Sequence, residues 1–498
     1  MSAIITEKFR QHNADQFVES FTETSNSTYY LFVGKATAYT SATTGGSDST
    51  PPAPADAPGD TEFYAWDSML AAKNVTSSDV SYAVPRRNWA NGDTYDMYDD
   101  DISSSSTTTS GASNIYDSTF YFMTSDFRVY KVLDNNAGAA YSGAEPTSTS
   151  TSPFELGGYV LKYMYAITTS EAAKYLTSDF IPVSNDSTIT AAATDGKIES
   201  LKITAGTGYT NGTYYAAIYG DGTSAGTSSG GIVRITVASN QIASFGLTAG
   251  SDTTIHAGGA GYTFGTVNLA SGFTFSDTAL SSASAIGGSG GAIEVVISPK
   301  NGHGFSAIKE LGGHYVMTAT TLTQAENDDI TTSNDFRQVG LVVDPTTFGT
   351  STVASSSTAR QTYVIKASSV SGTFEVDEKI TQATSGAVGK VVEYDSTLSL
   401  LYYQQERFGD FGTNSTTGDH SVFTGTNVIT GATSSATFTP SANSETITLA
   451  NNNTLATTSG YANPELQPDS GNIVYLENRK PIQRDSDQTE DIKLIIEF

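Results

Sequence analysis

Five histidines, at positions 12, 256, 303, 314 and 420, are the first residues to weigh for proton transfer or metal binding in this chain of 498 residues, which has no Cys. They are scattered, and none forms the His-Glu-x-x-His pattern that sets two zinc ligands on one helical face. His303 and His314, the closest pair, flank an expected short helix and read as structural or surface residues. The acidic run Asp93, Asp96, Asp99, Asp100 and Asp101 has the charge for a Ca²⁺ ion but lacks the alternating ligands and central Gly of an EF-hand loop. It reads as a solvated charged loop, with cation binding left open. Gly206-Thr-Gly208 and Gly220-Asp-Gly222 resemble phosphate cradles in composition. Neither ends in Lys-Ser/Thr or opens a clear helix, so both read as turns. Paired carboxylates such as Asp99 and Asp100 come with no sign of a cleft. The expectation is a chain without catalytic residues, metal or cofactor.

Two short segments offer contact chemistry instead. Arg86-Arg87 stands beside Trp89, and Arg and Trp are enriched at the centres of protein interfaces, where planar guanidinium groups pair with carboxylates. In so acidic a chain the pair is expected to meet an Asp or Glu, either across subunits or inside its own domain to hold a loop. Glu477-Asn478-Arg479, expected between two strands, invites the same two readings.

What must position these residues is a multidomain scaffold, because single cores stop growing at roughly 250 to 300 residues. A hydrophobic fraction of 38% with 27 Tyr and 23 Phe is enough to fold, and the wealth of Ser, Thr, Gly and Asn points to strands joined by turns. With 25 basic against 52 acidic residues the formal charge is −27. Such a field repels nucleic acid and anionic lipid. No leader-like start and no apolar run of membrane-spanning length are expected, hence a protein made and kept in solution until it assembles.

Along the chain, a strand is expected over Ile4 to Phe9, a short amphipathic helix around Ala14 to Phe21, and a buried strand over Thr28 to Gly34. Residues 41–60 read as a loop, followed by a helix from Thr61 to Lys73 capped by Asp60. Tyr116 to Met123 and Phe127 to Leu133 form a hairpin. Gly158 to Ile167 is a strand, and Ser170 caps a short helix over 171–176. From 186 to 292 the texture turns Gly- and Thr-rich and carries a weak repeat, with Gly206-Thr-Gly-Tyr and Gly259-Ala-Gly-Tyr as corresponding turns. Core texture returns at Ile293, with a helix from Ser306 to Leu311 stopped by Gly312-Gly313 and strands from Tyr315 and over Phe336 to Pro345. A second repeat pairs Phe374 to Ala387 with Phe423 to Ala436. Two closing strands lie around a polar loop, Asn472 to Arg479 and Ile492 to Phe498, and the second is expected to tie the C-terminus into a sheet. The class is β-rich α+β: a mixed α/β core (1–185, 293–366, 441–498) with two inserted antiparallel β-domains (186–292 and 367–440).

Several blocks in a fixed order resemble the T-even-type baseplate wedge protein of contractile-tailed bacteriophages. They are Ile4-Ile-Thr-Glu-Lys-Phe-Arg10, Val84-Pro-Arg-Arg-Asn-Trp89, Val129-Tyr-Lys-Val-Leu-Asp134, Gly158-Tyr-Val-Leu-Lys-Tyr163 leading to Tyr175 to Val183, and Tyr475 to Ile482 leading to Asp487 to Ile492. Gly302-His-Gly-Phe and Glu310-Leu-Gly-Gly313 look like more distant phage relatives. The resemblance covers about half the chain, outside both inserts. It implies a late virion structural protein, not an enzyme, that is assembled in the host cytoplasm into the tail baseplate. There it would form a homodimer, bridge neighbouring wedge proteins and relay the shape change that triggers sheath contraction, without nucleic acid or membrane insertion. The other class of reading is a tail-associated glycan-binding or glycan-cleaving receptor module, motivated by the Tyr- and Gly-rich stretch from Tyr209 to Tyr219.

Overall fold

The structure is a computed structural model that describes residues 5–23, 27–40, 45–55, 60–221, 230–269, 286–407 and 419–498. Ile4, Gly222, the Asp60 cap side chain and residues 41–44 and 56–59 of the expected loop lie outside the described residues. The chain is β-rich, with 42% strand against 11% helix, in several antiparallel sheets. It forms two compact units. One takes the residues up to Asp15, then Ser81–Met317 and Ile495–Phe498; the other takes Gln16–Val80 and Thr318–Leu494.

In the first unit, Arg128–Asp134 pairs with Tyr121–Met123 on one side and Tyr159–Ala166 on the other, with Phe154–Leu156 beyond. The expected hairpin is there, but its first strand is short: Ile115–Asp117 is a single turn of 3-10 helix, seeded by Asn114 Oδ1 accepting from Tyr116 N. Helix Thr169–Tyr175 is capped by Thr168 and not Ser170, because Thr168 and Glu171 form a reciprocal capping box. The Gly-rich stretch contributes strands from Ser200–Tyr209 to Gly287–Val296 around a core that includes Leu201, Tyr214, Ile218, Ile235 and Tyr262. Its repeat is structural. Gly206 and Gly208 have φ of 60 and 74, and Gly259 and Gly261 have the same pair of values. Each turn delivers a buried Tyr whose hydroxyl accepts a strand-edge N–H, Gly291 N to Tyr209 at 3.0 Å and Gly231 N to Tyr262 at 2.9 Å. A Cβ on Gly206 would lie 2.4 Å from Gly291 N. Chain, not phosphate, fills that turn.

In the second unit, five antiparallel strands run in the order Thr358–Arg360, Met69–Val75, Tyr29–Gly34, Phe336–Val343, Asn472–Ile482. Tyr29–Gly34 is buried along its whole length because it has a strand on each side. The expected helix to Lys73 ends at Ser68, and Met69–Val75 is a strand. A short apolar run such as Met69-Leu-Ala-Ala72 fits either element by pattern alone, and the open edge of Tyr29–Gly34 decides it. At the N-terminus the expected strand to Phe9 is instead the start of helix Glu7–Glu19. Thr6 Oγ1 accepts from Phe9 N at 3.3 Å, an N-cap that outweighs the β-branched Ile5.

A separate seven-stranded sheet of this unit closes on itself through Tyr363–Ser371, which pairs with both Leu400–Gln404 and Thr437–Pro440. The second repeat forms its centre. Thr381 pairs with Thr430, its repeat equivalent, and Ile380 with Gly431. The two copies therefore meet about a local two-fold. Phe374 and Phe423 fill the same core, and buried Glu378 of one copy accepts Thr433 N and Ser434 N of the other at 3.1 and 3.0 Å.

Gly340 sets how closely the five-stranded sheet packs. A Cβ there would lie 2.4 Å from Phe32 Cζ and 2.5 Å from the Tyr475 carbonyl oxygen. Gly340→Ala is expected to destabilise the chain by about 1 to 3 kcal/mol through overpacking, read as a lower denaturant midpoint at unchanged slope. A neutral result would mean that Phe32 swings clear at no cost.

Candidate interface and buried charge

Arg86, Arg87 and Trp89 follow the strand Val80–Pro85, whose final Pro has no N–H to extend a ladder. Arg86 donates from its main chain to Asp179 O at 2.7 Å, from Nε to Asn88 Oδ1 at 2.9 Å and from Nη1 to Thr177 O at 2.7 Å. Arg87 Nη2 donates to Tyr116 O at 2.9 Å, and its guanidinium lies 5.0 Å from the centre of the Tyr121 ring. Trp89 N donates to Met123 O at 2.8 Å, and its ring meets Tyr141 edge-on at 5.8 Å. Neither guanidinium contacts a carboxylate of the chain among the described residues. Within the chain they bond instead to carbonyls at the turns 115–117 and 177–180. Two buried donors on this segment, Arg87 Nε and Trp89 Nε1, have no hydrogen-bond partner among the described residues.

Glu477, Asn478 and Arg479 lie inside the strand Asn472–Ile482, not between two strands. Glu477 accepts from Arg479 Nη1 and Tyr475 Oη, each at 2.9 Å. With the Arg479 side chain 51% exposed, that ion pair is worth little. Asn478 has a structural task, accepting from Gln338 Nε2 at 2.9 Å and donating to Pro52 O at 3.0 Å. The strand is the sheet's outer one, yet two register shifts bend it, and Lys480-Pro481 follows. These are devices that keep an edge from recruiting a further strand.

The acidic loop is not solvated throughout. Asp96 is 1% exposed. Burial pushes its pKa up, but bonds from Ser110 and Thr119 outweigh that and hold it below the ordinary value. Asp99 pairs with Lys202 at 2.7 Å, and Asp100 accepts from Ile297 N at 2.9 Å. Among the described residues no group of three or more His, Asp or Glu is placed to hold a metal ion, and no helix is long and apolar enough to cross a membrane.

The buried charge of this unit was missed in sequence. Lys131 alternates with apolar residues on Arg128–Asp134 and is fully buried. Its Nζ donates to Glu310 Oε2 at 2.8 Å, lies 2.9 Å from His303 Nδ1 and stands 3.8 Å over the Tyr98 ring. Glu310 also accepts from Gly304 N at 2.8 Å. His303 is held far below its usual pKa by burial and then by Lys131, so it is neutral and structural. The available signal was a lone Lys in an apolar strand, which requires a buried partner. At the end of the same strand, Asp134 is pushed up to about 6 by burial.

With this geometry in hand, residues 3–145 and 441–498 match the family model described as Bacteriophage T4, Gp8. These two segments, less than half of the chain, are similar to that family. Gp8 is a structural baseplate family. Arg86, Arg87, Trp89, Lys131 and Glu477 to Arg479 fall within the matched residues, whereas 146–440, with His303 and Glu310, lie outside. Of the blocks that carried the resemblance, 158–163, 175–183 and 302–313 are among those outside. No curated protein sequence matches the chain.

Lys131→Met leaves Glu310 buried without its cation and is expected to cost about 3 to 5 kcal/mol. Adding Glu310→Gln, which keeps an acceptor for Gly304 N, should restore more than half of this in chemical denaturation; a purely additive double mutant would refute the pairing. Asp134 binds its proton more tightly folded than unfolded, so its contribution to stability falls as pH rises from the ordinary carboxylate value through about 6. Asp134→Asn should therefore stabilise by about 1 to 3 kcal/mol above that pH and by nothing near pH 3 to 4, checked by melting across pH.

Proposed function

We propose that this chain acts as a Gp8-type, homodimeric wedge subunit, joining neighbouring wedge proteins of the tail baseplate and passing on the shape change that triggers sheath contraction. The observation that carries the reading is the family match at both ends of the chain. Ile5 and Phe9, within the first matched segment, are 64% and 54% exposed, the kind of apolar surface that obligate assembly covers. Assembly would occur in the host cytoplasm before incorporation into the virion. Arg479, half exposed, offers a cation to an acidic partner surface.

A second reading is favoured by one observation. Tyr219, 50% exposed, lies on a strand that pairs with Gly265–Val267, and Phe264, 57% exposed, immediately precedes that partner strand. Exposed aromatic rings of this kind suit a glycan-binding module.

The test is light-scattering mass of the purified chain, then mixing with the remaining wedge proteins of its phage. A two-chain mass and a stable wedge complex are expected, with Arg87→Ala lowering wedge yield or solubility. A single-chain mass with no complex would reject the leading reading. Glycan-array binding would turn attention to the second.

A further inference from the structure

A cavity of about 270 Å³ lies in the first unit between the loops that follow the acidic run and the first strand of the Gly-rich sheet, and the wedge role makes no use of it. Its lining includes Asp99, Thr108, Asp134, Asn136, Lys202 and Phe245. The polar groups are fixed in place. Lys202 Nζ is held between Asp99 Oδ2 at 2.7 Å and Glu294 Oε1 at 2.8 Å. Asp134 Oδ1 accepts from Asn136 N at 2.9 Å. Asn135, 3% exposed, donates to Tyr95 O and Thr109 Oγ1 and accepts from Gly138 N, so its amide organises the wall without facing a ligand.

The wall is also strained. Asn136 and Ala137 are consecutive non-glycine residues with φ of 53 and 54, followed by Gly138 at 79. Left-handed backbone at Ala disfavours itself, persists only where the surroundings impose it, and clusters at ligand sites. Here the imposed turn aligns Asp134 and Asn136 on the cavity.

We propose that this cavity binds a monosaccharide-sized neutral polyol, the terminal residue of a glycan or the free sugar. Its volume suits one pyranose ring. Carboxyl oxygens of Asp99 and Asp134 accept from neighbouring ring hydroxyls, while Lys202, the Asn136 amide and Thr108 donate to ring oxygens. Phe245 and Ile203 give the C–H face of the ring an apolar wall. A strongly anionic ligand is disfavoured by the two carboxylates. A bare cation would have to displace Lys202 from its ion pairs. The site stands apart from the outward-facing Tyr219 and Phe264.

The experiment is ligand-detected NMR on the full chain with a panel of neutral hexoses, N-acetylhexosamines and their methyl glycosides, beside the Ser244→Trp variant. Ser244 is exposed at the cavity and uses only its main-chain carbonyl internally, so Trp fills the space while the fold, followed by circular dichroism and melting, is retained. Saturation transfer to at least one sugar is expected, abolished by Ser244→Trp and weakened at least tenfold in dissociation constant by Asn136→Ala. Equal binding of a sugar and its methyl glycoside identifies a glycan terminus; loss on methylation identifies the free sugar. No transfer to any panel member, or transfer untouched by Ser244→Trp, would overturn the proposal. Neither result bears on wedge assembly, which is read by mass.

Discussion

The second unit depends on one close approach: Gly340 lets Phe336–Val343 pass between Tyr29–Gly34 and Asn472–Ile482 with the Phe32 ring laid over it. Neighbouring strands stand about 4.7 to 4.9 Å apart, and any side chain at Gly340 would push on that ring and on the Tyr475 carbonyl together. The consequence reaches beyond packing. Both flanking strands lie in residues that match the Gp8 family, while the strand between them does not. The matched ends thus share a sheet only through a strand supplied by the unmatched middle. Residues 146–440 cannot all be ornament on a core that is already complete.

Elements whose burial is symmetrical were legible in the sequence. Thr28 to Gly34 reads as a strand from its apolar run, and Gly158 to Ile167 and Phe336 to Pro345 from their β-favouring residues, and each is a strand buried by neighbours on both sides. Both repeats were visible as well, because each copy must solve the same local problem. Gly-x-Gly-Tyr makes a left-handed turn that plants a Tyr, and the Phe374 and Phe423 copies offer equivalent strands to each other. What stayed hidden depended on distant partners. Met69–Val75 is a strand because Tyr29–Gly34 presents an open edge, information that no window around Met69 contains. Asp96 is buried because Ser110 and Thr119 arrive to bond it, so a run of aspartates looked solvated.

The interface candidates show the same division. Composition singled out Arg86, Arg87 and Trp89, and their side chains do join several loops. Composition also implied carboxylate partners, within the domain or across subunits, since acids outnumber bases. Within the chain, local geometry offers carbonyls, and a fixed carbonyl at a turn end competes well with a mobile carboxylate that loses rotamer freedom on pairing. At Glu477 to Arg479 the chain makes a bulged outer strand that holds the Glu477–Arg479 pair, a setting that depends on the partner strand Phe336–Val343 and not on the local residues.

Charge imbalance then limits how this molecule meets a neighbour. Several of its 25 basic residues are consumed inside. Lys131 is sealed against Glu310; Arg337 takes Asp48 in a two-bond fork at 3.0 Å each; and Arg484, 1% exposed at its side chain, takes Glu490 likewise at 3.2 and 3.0 Å. Each internal pair removes a cation from the surface and leaves the unmatched acids facing water. Two copies, or a copy and another acidic subunit, repel at range over roughly a Debye length of 8 to 10 Å. Association must then be won at contact, by apolar side chains such as Ile5 and Phe9, 64% and 54% exposed. Such contacts are short-ranged. They bind only when shapes already match, which suits a subunit placed once in an ordered assembly.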